Sequence, residues 1–223
     1  MKRHLQKNNN IKLVYFDFPF WRVDICRLTL EIANIKYKNI VLSKKYFLKN
    51  KKTNEFPFGQ LPILVVNNKT IAQTSAMIRY CGKLANLYPN DLMECALVDQ
   101  VIDFANDITY LISPSIREKD AEKKIAKRKI LNDIILPEWI GYLERFFVIN
   151  NVSTFFVTEK FAVSDLIVWR ILLWLTSGKL ENVDLKLKDK FPKLNSYFNY
   201  MSNNSLVISL EEYSKIMKNQ INF

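Results

Sequence analysis

The chain has 223 residues, 33 Lys and Arg against 22 Asp and Glu, a net charge of +11 and a 49% hydrophobic share. That length suits one large domain or two small ones, and the composition is globular rather than disordered or fibrous. The single histidine, His4, lies in a polar tail, which argues against a Ser-His-Asp triad and a His-rich metal site, and four glycines argue against an all-β or loop-rich fold. The charge raises nucleic acid or an acidic membrane surface as partners. Cys26, Cys81 and Cys95 have no metal-ligand spacing and leave an odd thiol, which favours a reducing, cytoplasmic setting.

Residues 1–10 read as a flexible polar tail without the apolar stretch of a signal peptide. Ile11–Phe16 is a short strand. Val23, Cys26, Arg27, Leu30 and Ala33 fall near one face of a helix over Trp21–Asn34, and Tyr37–Leu42 is a second strand. Lys44–Asn54 is polar and irregular, with room for a short helix. Pro62 has no N–H, so it must open a strand or lie on an edge. Pro62–Val66 and Thr70–Ala72 then form a hairpin around Asn67-Asn68, whose tolerance of positive φ suits a two-residue turn. Ser75–Leu84 is a helix. This β-α-β, β-β-α order fits a compact α/β half with helices packed on a small mixed sheet.

Asn86–Leu92 reads as a linker, and the pattern beyond it is helical throughout. Met93–Leu111 is amphipathic. Arg117–Phe147 is one long helical stretch that Pro137 should kink. Val163–Trp174, apolar on nearly all faces, is the buried central helix of this half. The most apolar run, Leu166–Leu175, carries Arg170 and is too short to span a bilayer. Phe191–Met201 and Leu210–Lys218 complete the bundle. In the basic segment Arg117–Lys129, Glu118, Asp120 and Glu122 mix with the lysines as on a solvated face, and no aromatic residues interleave to stack bases.

One constellation carries chemistry: Pro57-Phe58-Gly59-Gln60-Leu61-Pro62-Ile63-Leu64, then Gln73-Thr74-Ser75-Ala76. A cis bond at Pro62 would turn the Leu61 backbone outward, free to pair with a peptide. Gln73 and Thr74 at a helix start would offer orphan N–H groups and side-chain donors to a carboxylate. Together they describe a site for an extended peptide with a free carboxylate.

These two segments resemble the glutathione-site region of the cytosolic glutathione transferases, with the nearest likeness to the Tyr-type classes and to the sigma class among them. The likeness extends over roughly residues 11 to 213. It implies a thioredoxin-like, glutathione-binding domain over 11–87 and an all-helical domain over 92–223. It implies that Tyr15 donates its hydroxyl to the glutathione sulfur, with Arg22 near that sulfur as in sigma-like members. By the same resemblance, Gln73 and Thr74 hold the γ-glutamyl group, the Leu61 backbone pairs with the cysteinyl part with Gln60 and Pro62 beside it in the glutathione site, and Lys49, Lys51 or Lys52 meets the glycyl carboxylate. Asp107 would reach the glutathione of a neighbouring subunit, Asp99 would line the domain cleft, and Phe58 would be the aromatic key of a homodimer. Glutathione enters as co-substrate, with no metal, nucleic acid or membrane span.

The chain also departs from the family pattern. Asp17-Phe18-Pro19-Phe20-Trp21 is one residue longer than the usual loop, has neither Ser nor Cys, and runs into Trp21-Arg22-Val23, which resembles the zeta class. Cys26, the first thiol after it, reads as a core residue. Ala162 stands where the family usually has Ser or Thr ahead of the buried helix, so Ala162→Ser should stabilise it. Phe16, Phe18, Phe20 and Tyr110 are candidate walls for an electrophile. The first expectation is therefore conjugation of the glutathione thiolate to hydrophobic electrophiles, with isomerisation of a lipid endoperoxide as a variant. The alternative is a non-catalytic carrier of apolar ligands or protein partners; a nucleic-acid-binding module rests on charge alone.

Overall fold

The computed structural model describes residues 10–151, 153–205 and 207. His4, nearly all of the expected tail and the helix expected over Leu210–Lys218 lie outside the described residues. Two compact units are present, one running to Tyr88 and the other spanning Pro89–Asn204.

The first unit contains β1 (Ile11–Tyr15), α1 (Trp21–Ile32), β2 (Lys38–Val41), α2 (Lys44–Asn50), β3 (Ile63–Val66), β4 (Lys69–Ala72) and α3 (Thr74–Leu84). The strand order is β2-β1-β3-β4. β1 and β2 are parallel, as a pair joined through a crossover helix must be, while β3 and β4 are antiparallel additions. Register puts Ile11 opposite Val66 and Leu13 opposite Leu64, all four buried on one face. On the other face Val14 and Ile63 pack with Phe56, flanked by Ile40, Phe47 and Leu61. Asn67 and Asn68 both have positive φ (49° and 67°), as the two-residue hairpin turn requires. The Lys44–Asn54 segment forms a helix only to Asn50, where Ser43 caps it by accepting from the Tyr46 N–H at 3.1 Å.

The second unit is helical: α4 (Leu92–Arg117), α5 (Ala121–Ile130), a π-helical segment (Leu131–Ile135), α6 (Leu136–Asn150), α7 (Val163–Leu175) and α8 (Pro192–Ser202), with a 3-10 turn at Leu187–Lys190. Two expectations need correction. The helix expected to stop at Leu111 runs on to Arg117 through Pro114, because Ile112 and Ser115 are buried and the Ser115 hydroxyl bonds back to the Ile112 carbonyl at 2.7 Å. The long stretch beyond it is interrupted at 118–120. There Glu118 accepts from the N–H groups of Lys119 and Asp120, and Asp120 caps α5 through the Lys123 N–H. Pro137 meets no ordinary α-helical turn either; the π segment just before it absorbs the missing N–H.

In α7 every residue except Leu173 is buried. Ala162 has the extended backbone of a cap residue (φ −136°, ψ 172°) but no side-chain acceptor. Half of the capping box remains, since the Asp165 carboxylate accepts from the Ala162 N–H at 2.8 Å. It also accepts from the Phe156 N–H at 2.8 Å and from the Tyr197 hydroxyl at 2.5 Å.

Candidate functional site

The sheet register decides what meets at its end. Tyr15 is the last residue of β1, opposite Val41, the last of β2. Ile63, the first residue of β3, lies opposite both Val14 and Ala72, the last residue of β4. Tyr15, Leu61-Pro62 and Gln73 therefore leave three adjacent strands at the same end of the sheet. With strands about 4.8 Å apart, the end of β1 and the end of β4 lie roughly 10 Å apart, the length of an extended tripeptide. The Leu42 N–H bonds to the Tyr15 carbonyl at 2.8 Å, so α2, with its lysines, also departs from this end.

Each segment has a local reason for its shape. The Leu61–Pro62 peptide bond is cis. Leu61 is half-buried against the Val14–Phe56–Ile63 cluster, while Gln60 and Phe58 are exposed, Phe58 at 63%. Gly59 has φ +60°, and a Cβ there would sit 3.1 Å from the Lys51 carbonyl. Only glycine lets this turn lie so close to the end of α2. Gln73 is exposed and has φ +71°, an uncommon conformation for a residue with a Cβ, and its side chain does not cap α3. Strain held at a helix start and left open to solvent is more typical of a ligand site than of a structural cap. Thr74 beside it is 7% exposed.

Tyr15 is 6% exposed and surrounded by aromatic rings: Phe18 edge-on at 5.2 Å, Phe16 tilted at 5.4 Å and Phe20 parallel at 6.4 Å. Burial, helped by the Asp24 charge, holds its phenol well above the ordinary value, and the Arg22 and Arg27 charges only partly offset this. The hydroxyl is thus kept as a proton donor across the neutral range. Arg22, the second residue of α1, is half-buried, with its guanidinium carbon 5.9 Å from the Trp21 ring centre. Cys26 is fully buried; a hydrogen bond with Cys81 and burial push its thiol well up, away from thiolate chemistry. Lys49, Lys51 and Lys52 are exposed at and beyond the end of α2.

Sequence reading missed the buried pair beneath this layer. Arg27, 1% exposed, bonds to Asp24 at 3.1 Å and, through Nε and Nη2, to the Asn39 side chain at 3.1 and 2.9 Å. It ties α1 to β2 and so fixes the helix behind Tyr15. The i, i+3 spacing of Asp24 and Arg27 was the available signal.

The acidic residues of α4 lie in the second unit. Asp99, Asp103 and Asp107 line a cavity of about 660 Å³ with Gln100, Phe104, Tyr142 and Phe146, among others. Among the described residues no group of His, Cys, Asp and Glu is disposed to hold a metal. Sequence gave no hint of this cavity, because Tyr142, Leu143 and Phe146 at helical spacing read equally well as core. Tyr110, 60% exposed, is also on α4.

Comparison with known proteins agrees with this layout. Residues 11–83 match the glutathione S-transferase N-terminal domain family, and residues 106–213 match its C-terminal domain family. The chain is similar to a hematopoietic prostaglandin D synthase of Gallus gallus, 31% identical over 189 residues, which covers 83% of this chain and 86% of the relative. A glutathione S-transferase of Plasmodium yoelii yoelii is 26% identical over 187 residues, covering 82% of this chain and 84% of its own. Among solved structures, monomeric Na-GST-3, a glutathione S-transferase from the hookworm Necator americanus, superposes with a TM-score of 0.73 at 26% identity, over 93% of this chain and 97% of that one. A four-stranded mixed sheet with its helices, a following all-helical unit, and sequence likeness that runs through both are the marks of one family: the chain belongs to the glutathione S-transferases.

Proposed function

We infer that this chain conjugates the thiolate of glutathione to hydrophobic electrophiles, with residues 11–87 as the glutathione-binding domain and 92–223 as the helical domain. The reading rests on one observation: Tyr15, the cis Leu61–Pro62 segment and the strained start of α3 at Gln73 converge at one end of the sheet. Tyr15, kept protonated by burial, donates its hydroxyl to the glutathione sulfur. A hydrogen bond to the charged form favours the thiolate, which is the nucleophile. Arg22 and the positive end of α1 add to that field. The exposed N-terminus of α3, with Gln73 and Thr74, holds the γ-glutamyl group. Gln60, Leu61 and Pro62 align the cysteinyl part along the sheet end, and Lys49 or Lys52 meets the glycyl carboxylate.

A homodimer completes the site. Phe58 projects as an exposed aromatic ring, which an interface would bury, and the apolar wall of the α4–α6 cavity suits an inserted ring. Asp107 of the second copy then reaches the glutathione amino group. Phe58→Ala shifts the protein to monomer in sedimentation, and Asp107→Ala weakens glutathione binding only while the dimer persists. All three cysteines are free thiols, which suits a cytoplasmic location.

The deciding experiment is Tyr15→Phe, assayed with glutathione and an aromatic halide. Loss of one donor to a developing anion lowers kcat by about 10²-fold or more and leaves glutathione affinity, read by calorimetry, nearly unchanged. Equal turnover would remove Tyr15 from the mechanism. Glutathione binding without turnover on any electrophile, a lipid endoperoxide included, would point to the carrier reading.

A further inference from the structure

Between Glu31 and Glu55 the chain has seven lysines and no carboxylate. All seven (Lys36, Lys38, Lys44, Lys45, Lys49, Lys51 and Lys52) are exposed. Five of them lie on α2 or in the turn that follows it, and α2 buries none of its residues fully. Its inner side rests on one ring: Phe47 packs edge-on against Phe16 at 5.6 Å and Phe56 at 5.2 Å. At about 100° per residue, the side centred on Leu48, a quarter-turn or so round the helix from Phe47, carries Lys44, Lys45, Lys51 and Lys52, with Lys49 at its far edge. Leu48 is 54% exposed at the centre of that face, while Tyr46, on the other side of the helix, donates its hydroxyl to Glu55 at 3.0 Å.

The other basic segment of the molecule behaves differently. On α5, Lys124 pairs with Glu181 at 2.6 Å, Lys127 with Glu118 at 2.5 Å, and Lys129 with Asp133. None of the five α2 lysines enters an ion pair among the described residues. Three of the α5 charges are thus paired within the fold, whereas those of α2 are presented outward around an exposed aliphatic side chain.

We propose that α2 is a docking face for anionic phospholipid bilayers. Lys44, Lys45, Lys49, Lys51 and Lys52 lie among the headgroup phosphates, and Leu48 enters the interfacial layer. Clusters of four to eight basic residues on an amphipathic helix attract acidic leaflets by about fivefold in partition per lysine. The chemistry of the face selects lipid over nucleic acid. It has lysine only, with no arginine fork for bidentate phosphate or guanine contacts. The exposed leucine gains by entering hydrocarbon and gains nothing on a phosphate backbone. The surface goes beyond the conjugation reaction and does not depend on it.

The test uses the full chain and sedimentation with vesicles of phosphatidylcholine alone or mixed with phosphatidylserine. The protein should co-sediment only with the phosphatidylserine vesicles, and less as salt is raised. Lys44→Gln/Lys45→Gln should cut partition about 25-fold at low salt while glutathione turnover and melting temperature stay at their wild-type values. Leu48→Asn should weaken binding at every salt concentration. Equal binding to neutral vesicles, no binding to acidic ones, or wild-type binding by the double lysine variant would overturn the proposal. Release from the vesicles by transfer RNA that the protein binds more tightly would also overturn it and reassign the face to nucleic acid.

Discussion

Two helix starts in this chain answer the same physical problem in opposite ways. Every α-helix begins with N–H groups that have no partner within the helix. At α7 these needs are met internally and out of sight: Asp165 is fully buried, accepts from Phe156, Ala162 and Tyr197, and ties three segments together. At α3 the cap residue Gln73 is exposed, holds φ at +71° and makes no capping bond with its side chain. One start spends its polar capacity on the fold, while at the other the side chain of the cap residue takes no part in capping. A terminus held open under strain is more informative about function than one that is well satisfied.

The sharpest way to break the contrast is Asp165→Ala. Three buried donors lose their acceptor, at a cost of about 3 kcal/mol or more, and the melting temperature should fall by roughly 10 °C. Glutathione affinity of the folded fraction should not change, and a loss of affinity there would show that α7 serves the ligand after all. The same residue sets a pH dependence. Burial raises the Asp165 carboxyl from 3.8 to about 6, against the pull of its three donors. The folded protein thus binds this proton more tightly than the unfolded chain. The associated stability is complete below about pH 4 and lost as pH rises through about 6. A melting profile between those values should slope downward in the wild type and lie flatter in Asp165→Asn.

At α3 the effects should fall on binding instead. Gln73→Ala should weaken glutathione by about tenfold and barely move the melting temperature. Gln73→Gly should lose the same affinity yet raise stability by up to about 1 kcal/mol, because the positive φ no longer meets a Cβ. A loss of stability in both variants would make Gln73 an ordinary structural residue. The smallest change is expected from Ala162→Ser, which restores the missing half of the capping box and should add about 1 kcal/mol. An unchanged or lower melting temperature would mean that the buried cap has no room for a hydroxyl.

Much of this was legible in the sequence where covalent chemistry forces the backbone. Pro62 had to open a strand, Asn67-Asn68 had to turn, and Gln73-Thr74 followed as the start of a helix. The elements of the sheet end were readable for that reason. Helix ends were less so. Met93–Leu111 was too short: the apolar spacing was followed only to Leu111, although the burial of Ile112 and Ser115 carries the helix through Pro114 to Arg117. The break at 118–120 was signalled by Asp120, a good cap residue, but a strong helical pattern on both sides hid it. The α4–α6 cavity could not be read at all, since it exists only in the space between two helices and its rings look like core in one dimension.

The π-helical segment at Leu131–Ile135 has a consequence of its own. Such a segment amounts to one residue more than an α-helix of the same rise needs, so everything after it is turned by about 100°. Tyr142, Leu143 and Phe146 owe their orientation toward the cavity to that offset in phase. Deleting one residue between Leu131 and Ile135 would leave composition and hydrophobicity almost untouched. It would nonetheless swing these three side chains round the helix axis and bring others into their place. The segment thus acts as a setting for which side of α6 the cavity sees, one that can be changed by chain length alone.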